Sequence, residues 1–141
     1  MMTFYMLDTN AVSELVADPK GRVACKIAEV GMDNVAISVV VSAEIEFGLE
    51  QKLSERLTTR MRRLLGTMQI LPLKAPADRH YGVLRAGFKK QGRPIGPNDL
   101  FIAAHALAID ATLVTANVGE FSRVPGLKIE NWLRNTAAER E

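Results

Sequence analysis

The chain is 141 residues long, 48% hydrophobic, and carries 18 Lys and Arg against 16 Asp and Glu. That length fits one domain with a real core; no run approaches the ~20 apolar residues that span a bilayer; and a net charge of +2 does not by itself indicate nucleic acid. A single cysteine, Cys25, excludes an internal disulfide and a multi-cysteine zinc site, and two histidines, His80 and His105, leave little for histidine-rich metal chemistry.

The first apolar run, Phe4-Tyr5-Met6-Leu7, has no basic region before it and is too short for a secretory signal, so a cytoplasmic protein is expected. Residues 3–7 read as strand one. Thr9 or Asn10 is placed to cap a short helix running through Val16 and stopped by Asp18-Pro19. Residues 21–30 form a second helix closed by Gly31, with Cys25 as a small buried residue on it. The β-branched run at 35–38 is strand two. Val41, Ile45 and Leu49 at four-residue spacing make residues 40–52 helical. Gly48 inside that helix costs about 1 kcal/mol of helix stability and suggests close approach by a neighbouring element.

Residues 54–68 are an amphipathic helix, with Leu57, Met61, Leu64, Leu65 and Met68 on one face and Arg56, Arg60 and Arg63 on the other. Residues 70–73 are a short strand broken by Pro72, and Pro76 starts a helix that runs to about Gln91. A stiff loop over 92–97 leads into an apolar helix over 98–109, capped by Asn98 with Asp99 in its first turn. Strand 112–114, a single turn over 117–121, strand 127–129 and an anchoring Trp132 complete the pattern. Residues 135–141 are polar and expected to fray. Short strands alternating with helices imply an α/β/α sandwich, a central, mostly parallel sheet with helices on both faces.

Three acids stand out against this background. Asp8 follows strand one, Glu44 follows the apolar run 35–41, and Asp99 opens the helix Leu100-Phe101-Ile102-Ala103-Ala104. An acid at the carboxyl end of a parallel strand points into the crevice where open α/β sheets bind ligands. Two carboxylates about 5 Å apart repel by roughly 3 kcal/mol at an effective dielectric near 20. A divalent cation reverses that sign, and oxygen ligands favour magnesium or manganese. Taken singly, Asp8 also reads as a helix cap, Glu44 as a solvated helix residue and Asp99 as an ordinary first-turn acid whose ionised form the helix dipole favours.

Four segments together resemble the PIN-domain ribonucleases, most closely the VapC toxins of type II toxin–antitoxin modules, including their FitB-like branch. They are Met6-Leu7-Asp8-Thr9-Asn10; Ile37-Ser38 through Ala43-Glu44-Ile45-Glu46-Phe47-Gly48; Ile95-Gly96-Pro97-Asn98-Asp99-Leu100-Phe101-Ile102-Ala103-Ala104-His105-Ala106; and Leu113-Val114-Thr115-Ala116-Asn117 with Glu120-Phe121 and Pro125-Gly126-Leu127 through Asn131-Trp132. The resemblance covers nearly the whole chain, with residues 1–134 as one PIN-like domain. It aligns Glu44, not Glu46, with the family's second acid. Many PIN domains carry a fourth acid where this chain has Asn117, and Glu120 is the nearest acid that could substitute.

The resemblance implies metal-dependent hydrolysis of RNA, tRNA being the expected target, by an activated water that leaves 5′-phosphate and 3′-hydroxyl ends. Asp8 and Asp99 would hold Mg2+ (or Mn2+) directly, Glu44 would ligate through water or orient the attacking water, and Asn117, with Thr115, would fix that water or a second ion. His80 and His105 read as structural. Lys89, Lys90 and Arg93, and Arg56, Arg60, Arg62 and Arg63 along a helix, are candidate RNA contacts or solvated faces. The implied partners are a second copy of the chain and a small DNA-binding antitoxin of the VapB kind, whose tail would lie in an apolar groove near residues 10–17 and 40–68; no membrane is implied. Two other readings are a catalytically inactive PIN-like binding module and a magnesium-dependent phosphatase using Asp8. The second acid such phosphatases need is missing from Asp8-Thr9-Asn10.

Overall fold

A computed structural model describes residues 3–51 and 54–133. Its elements follow in the order β1 (Tyr5–Leu7), α1 (Thr9–Ala17), α2 (Arg22–Val30), a 3-10 turn (Met32–Asn34), β2 (Val35–Ser38), α3 (Val39–Glu50), α4 (Glu55–Leu65), β3 (Gln69–Leu71), α5 (Ala77–Lys90), α6 (Pro97–Ala108), β4 (Thr112–Val114), α7 (Val118–Phe121) and β5 (Lys128–Glu130). The expected fraying of residues 135–141, and the end of the third helix at Lys52, lie outside the described residues.

The five strands form one sheet in the order β3-β2-β1-β4-β5, and every neighbouring pair is parallel. Central strands β1, β2 and β4 are almost wholly buried, which is why each reads as a continuous apolar run instead of an alternation. Connection β1→β2→β3 builds the sheet outward in one direction, and β4 then returns to the other side of β1. The strand order therefore reverses between β1 and β4, and crevices beyond the carboxyl ends of strands form at such a point. Asp8 leaves β1 and Thr115 leaves β4 there, with Asp8 N–H donating to the Val114 carbonyl at 2.8 Å.

Several local expectations need correction. Asp8 itself caps α1, its side chain accepting from Thr9 N–H. Gly96 occupies the cap position of α6 and Pro97 its first turn, because proline's missing N–H is no loss there; Asn98 is thereby freed for another task. Cys25 is exposed: α2 buries Val23 and Ile27, one turn apart, and Cys25 lies on the opposite face. Helix α4 stops at Leu65 before Gly66, leaving Met68 buried beyond its end and Leu57 exposed. A β-carbon at Gly48 would meet nothing within 4 Å, so no close approach by another element among the described residues accounts for that glycine. Of the α4 arginines, Arg56, Arg62 and Arg63 are exposed and Arg60 is half-buried. Arg60 donates to the Val16 carbonyl of α1, and Arg62 pairs with Glu46 of α3 at 2.9 Å. Trp132 is buried, its ring 5.0 Å from that of Tyr5, and ties the segment after β5 to β1.

Candidate active site

Asp8 is the deepest of the three acids, only 6% exposed. Its Oδ1 accepts from Thr9 N–H at 2.8 Å, and its Oδ2 accepts from the Thr115 hydroxyl at 2.8 Å and the Asn10 amide at 3.2 Å. Burial pushes the Asp8 carboxyl up; the bonds from Thr115, Thr9 and Asn10 pull it back, and Glu44's charge adds to the rise. Asn10 also accepts from Ala116 N–H at 2.9 Å, so the two loops that leave β1 and β4 are tied together. Thr115 in turn accepts from Asn117 N–H at 3.0 Å.

Glu44 projects from the second turn of α3 toward both other acidic loops. Its Oε1 accepts from the Thr9 hydroxyl at 2.8 Å and its Oε2 from the Asn98 amide at 3.3 Å. Thr9 is next to Asp8 and Asn98 next to Asp99, so one carboxylate spans the elements that carry the other two. Glu46, by contrast, turns away to Arg62.

Asp99 stands at the third position of α6, where the dipole favours its ionised form. The opposing effects win. Burial first, then the charges of Asp8, Glu44 and Glu120, push its carboxyl from 3.8 up to about 6. The charges of Asp8, Glu44 and Glu120 are thus near enough to act on Asp99. Glu120 reaches it from α7 but is held by Arg123 at 3.1 Å, and Arg123 also lies over the Phe88 ring, 5.0 Å from its centroid, and donates to the Arg93 carbonyl.

Among the described residues, no lysine or arginine forms an ion pair with Asp8, Glu44 or Asp99. Nor, among the described residues, do any three Asp, Glu, His or Cys side chains stand close enough together to hold a metal ion as they are placed. The donor set is all hard oxygen, which suits magnesium-like cations and not softer metals.

The structure thus links Asp8, Glu44 and Asp99 at the carboxyl end of the sheet, Glu44 joining the neighbours of the other two. Asn117 is exposed on the adjacent loop, and only its backbone N–H joins the network. His105 is buried, with Nδ1 2.8 Å from the Ser38 hydroxyl, which also caps α3 by accepting from Val40 N–H. Burial holds the His105 imidazole below its usual range. Sequence reasoning missed Asn10 and Asn98, and it missed Thr9 as the partner of Glu44. All three flank the acids as short polar residues at helix starts, where they pass for ordinary caps.

The PIN domain family profile matches residues 5–127. Ribonuclease VapC2 of Rickettsia felis is 37% identical over 130 residues, covering 91% of this chain and 97% of the relative. The tRNA(fMet)-specific endonuclease VapC of Shigella flexneri is 33% identical over 132 residues, covering 93% and 99%. A chain in the crystal structure of VapBC2 from Rickettsia felis, bound to a DNA fragment from their promoter, superimposes with a TM-score of 0.84 at 34% identity, covering 92% of this chain and 99% of that one.

Proposed function

The chain belongs to the PIN-domain family, in its VapC branch of ribonucleases, and we propose that it is the toxin of a toxin–antitoxin module, a magnesium-dependent endoribonuclease whose target is tRNA. The observation that carries the reading is the gathering of Asp8, Glu44 and Asp99 at the strand-order reversal without a cationic partner among the described residues. Such a cluster costs the fold free energy unless a cation offsets it.

Asp8 and Asp99 are assigned as direct metal ligands. A bound Mg2+, or Mn2+ in its place, would neutralise the cluster and act as a Lewis acid toward a phosphodiester. Thr115 and Thr9 N–H hold the Asp8 carboxylate in one orientation. Glu44, fixed by Thr9 and Asn98, keeps lone pairs on both oxygens, and these are assigned to orient the attacking water. Asn117 is assigned a supporting role beside that water through its side-chain amide. Attack by water, with the 3′ oxygen leaving, yields 5′-phosphate and 3′-hydroxyl ends. RNA as substrate places the activity in the cytoplasm.

The proposed protein partners are a second copy of the chain and a DNA-binding antitoxin. A groove of ≈ 330 Å³ between α1 and α4, lined by Leu15, Val16, Pro19 and Leu64 with Arg60 and Arg63 at its walls, suits an apolar antitoxin segment. No helix among the described residues is long and apolar enough to cross a membrane. The phosphatase reading is disfavoured because Asp8-Thr9-Asn10 offers no second acid beside Asp8.

The test is cleavage of total cellular RNA by the antitoxin-free protein with Mg2+, Mn2+ or chelator, beside an identically prepared Asp99→Asn protein. Discrete fragments with 5′ phosphates that vanish with chelator and with the variant are expected. A folded wild-type protein that cleaves nothing under either metal returns the inactive binding module as the better account.

A further inference from the structure

Phe47 is the most exposed large apolar residue of the described chain, 66% open to solvent. A single exposed apolar residue is ordinary, but the position of this one is not. It follows Glu44 by three residues on α3, so the ring and the acid share one helix face. The core stripe of that helix, Val41, Ser42 and Ile45, points elsewhere. Phe47 and Glu44 line one pocket of ≈ 480 Å³ together with Val40, Ala43 and Asn98, a size within the range of small-molecule sites. Beside the ring, Gly48 adds no side chain, and a β-carbon there would meet nothing within 4 Å among the described residues outside its own helix turn.

The pocket has two chemically different walls. Phe47, Val40 and Ala43 offer a flat apolar surface. The other wall offers the Asn98 amide oxygen as an acceptor, since it takes no hydrogen bond from the described residues, with the Glu44 carboxylate beside it. A purely apolar peptide or lipid would leave the second wall unpaired. A flat heterocycle with N–H groups on its edge satisfies both, and because the pocket shares Glu44 with the acidic cleft, it lies where the base of a nucleotide would fall when its phosphate is at the acids.

We propose that Phe47 is a nucleobase-stacking residue, and that this pocket holds one unpaired base of the RNA next to the cleaved bond. The proposal rests on the ribonuclease reading and adds to it that the RNA is taken single-stranded at this point, because only an unstacked base presents a free face to an aromatic ring. Stacking of this kind tolerates any base, so Phe47 governs affinity for single-stranded RNA and not the choice of sequence.

The test measures binding of a fluorescein-labelled adenosine decaribonucleotide, and of an abasic decamer with the same phosphates, by anisotropy at low salt with EDTA. Phe47→Ala should weaken the adenosine decamer about 10-fold and leave the abasic one unchanged; Phe47→Trp should retain binding. RNA cleavage by wild type, and the sedimentation mass of each variant, are measured in parallel. If wild type cleaves RNA but Phe47→Ala binds both decamers as wild type does, the subsite is wrong and the ribonuclease reading stands. If wild type cleaves nothing and binds neither decamer, both fall. A change of mass in Phe47→Ala overturns the subsite in favour of an interface between copies of the chain.

Discussion

Asp99→Asn should make the metal-free protein more stable while removing its activity. In the fold the Asp99 carboxyl is pushed up from 3.8 to about 6 by burial and by Asp8, Glu44 and Glu120. A raised acid binds protons more tightly folded than unfolded, so it opposes folding at neutral pH. A shift of roughly two units corresponds to ~3 kcal/mol; Asp99 is only half-buried, and screening reduces this to ~1–2 kcal/mol. Asparagine keeps the shape and drops the charge. In EDTA at pH 7.5 the variant should therefore melt about 3–6 °C above wild type. The penalty on wild type is complete above pH 6 and fades as pH falls from about 6 toward 3.8, so the two melting curves should converge over that window. His105 works in the opposite sense: burial lowers its pKa, so the stability its neutral ring contributes above 6.5 is lost as pH falls. It is present in both proteins, and comparing them at each pH cancels it. Adding Mg2+ should raise the wild-type melting temperature and leave the variant's nearly unchanged. An Asp99→Asn protein that melts at or below wild type in EDTA at pH 7.5 would show that the acids do not repel as argued.

Thr115→Val removes the hydroxyl that donates to Asp8 and accepts from Asn117 N–H; it should cost about 1–2 kcal/mol in a urea melt and lower kcat/KM on an RNA oligonucleotide by at least tenfold, and full activity would deny Thr115 its positioning role. Ser38→Ala strips the cap of α3 and leaves a buried histidine nitrogen unpaired, for an expected loss of about 2–3 kcal/mol; a melt unchanged from wild type would mean that His105 finds another partner. Gly82→Ala fills open space on α5 and should stabilise by about 0.5–1 kcal/mol without altering RNA cleavage, whereas a loss of cleavage would reveal a surface role for that helix.

Much of this architecture is written locally. The runs at 35–38 and 112–114 and the Gly31 stop coincide with observed boundaries, because a strand buried on both faces must be apolar throughout and a positive φ, 93° at Gly31, favours glycine. Caps were harder to read. Asp8, Thr9 and Asn10 are all good N-caps by type, and only the path of the chain out of β1 selects Asp8. Cys25 and Leu57 were misjudged for a related reason: composition indicates which residues tend to be buried, but the facing element decides which side of a helix is covered.

The sequence by itself determined the alternation of strand and helix, the three acids and the family to which they belong, since each depends on short-range pattern or motif. Only the tertiary structure decided that β1 and β4 adjoin, that Glu44 bridges Thr9 and Asn98, and that Glu120 acts on Asp99 while tied to Arg123. The bonds from Glu44 to Thr9 and Asn98, and from Thr115 to Asp8, join residues 35 to 107 positions apart. Coulomb interactions and hydrogen bonds depend on distance in space, which no local spacing along a chain can supply.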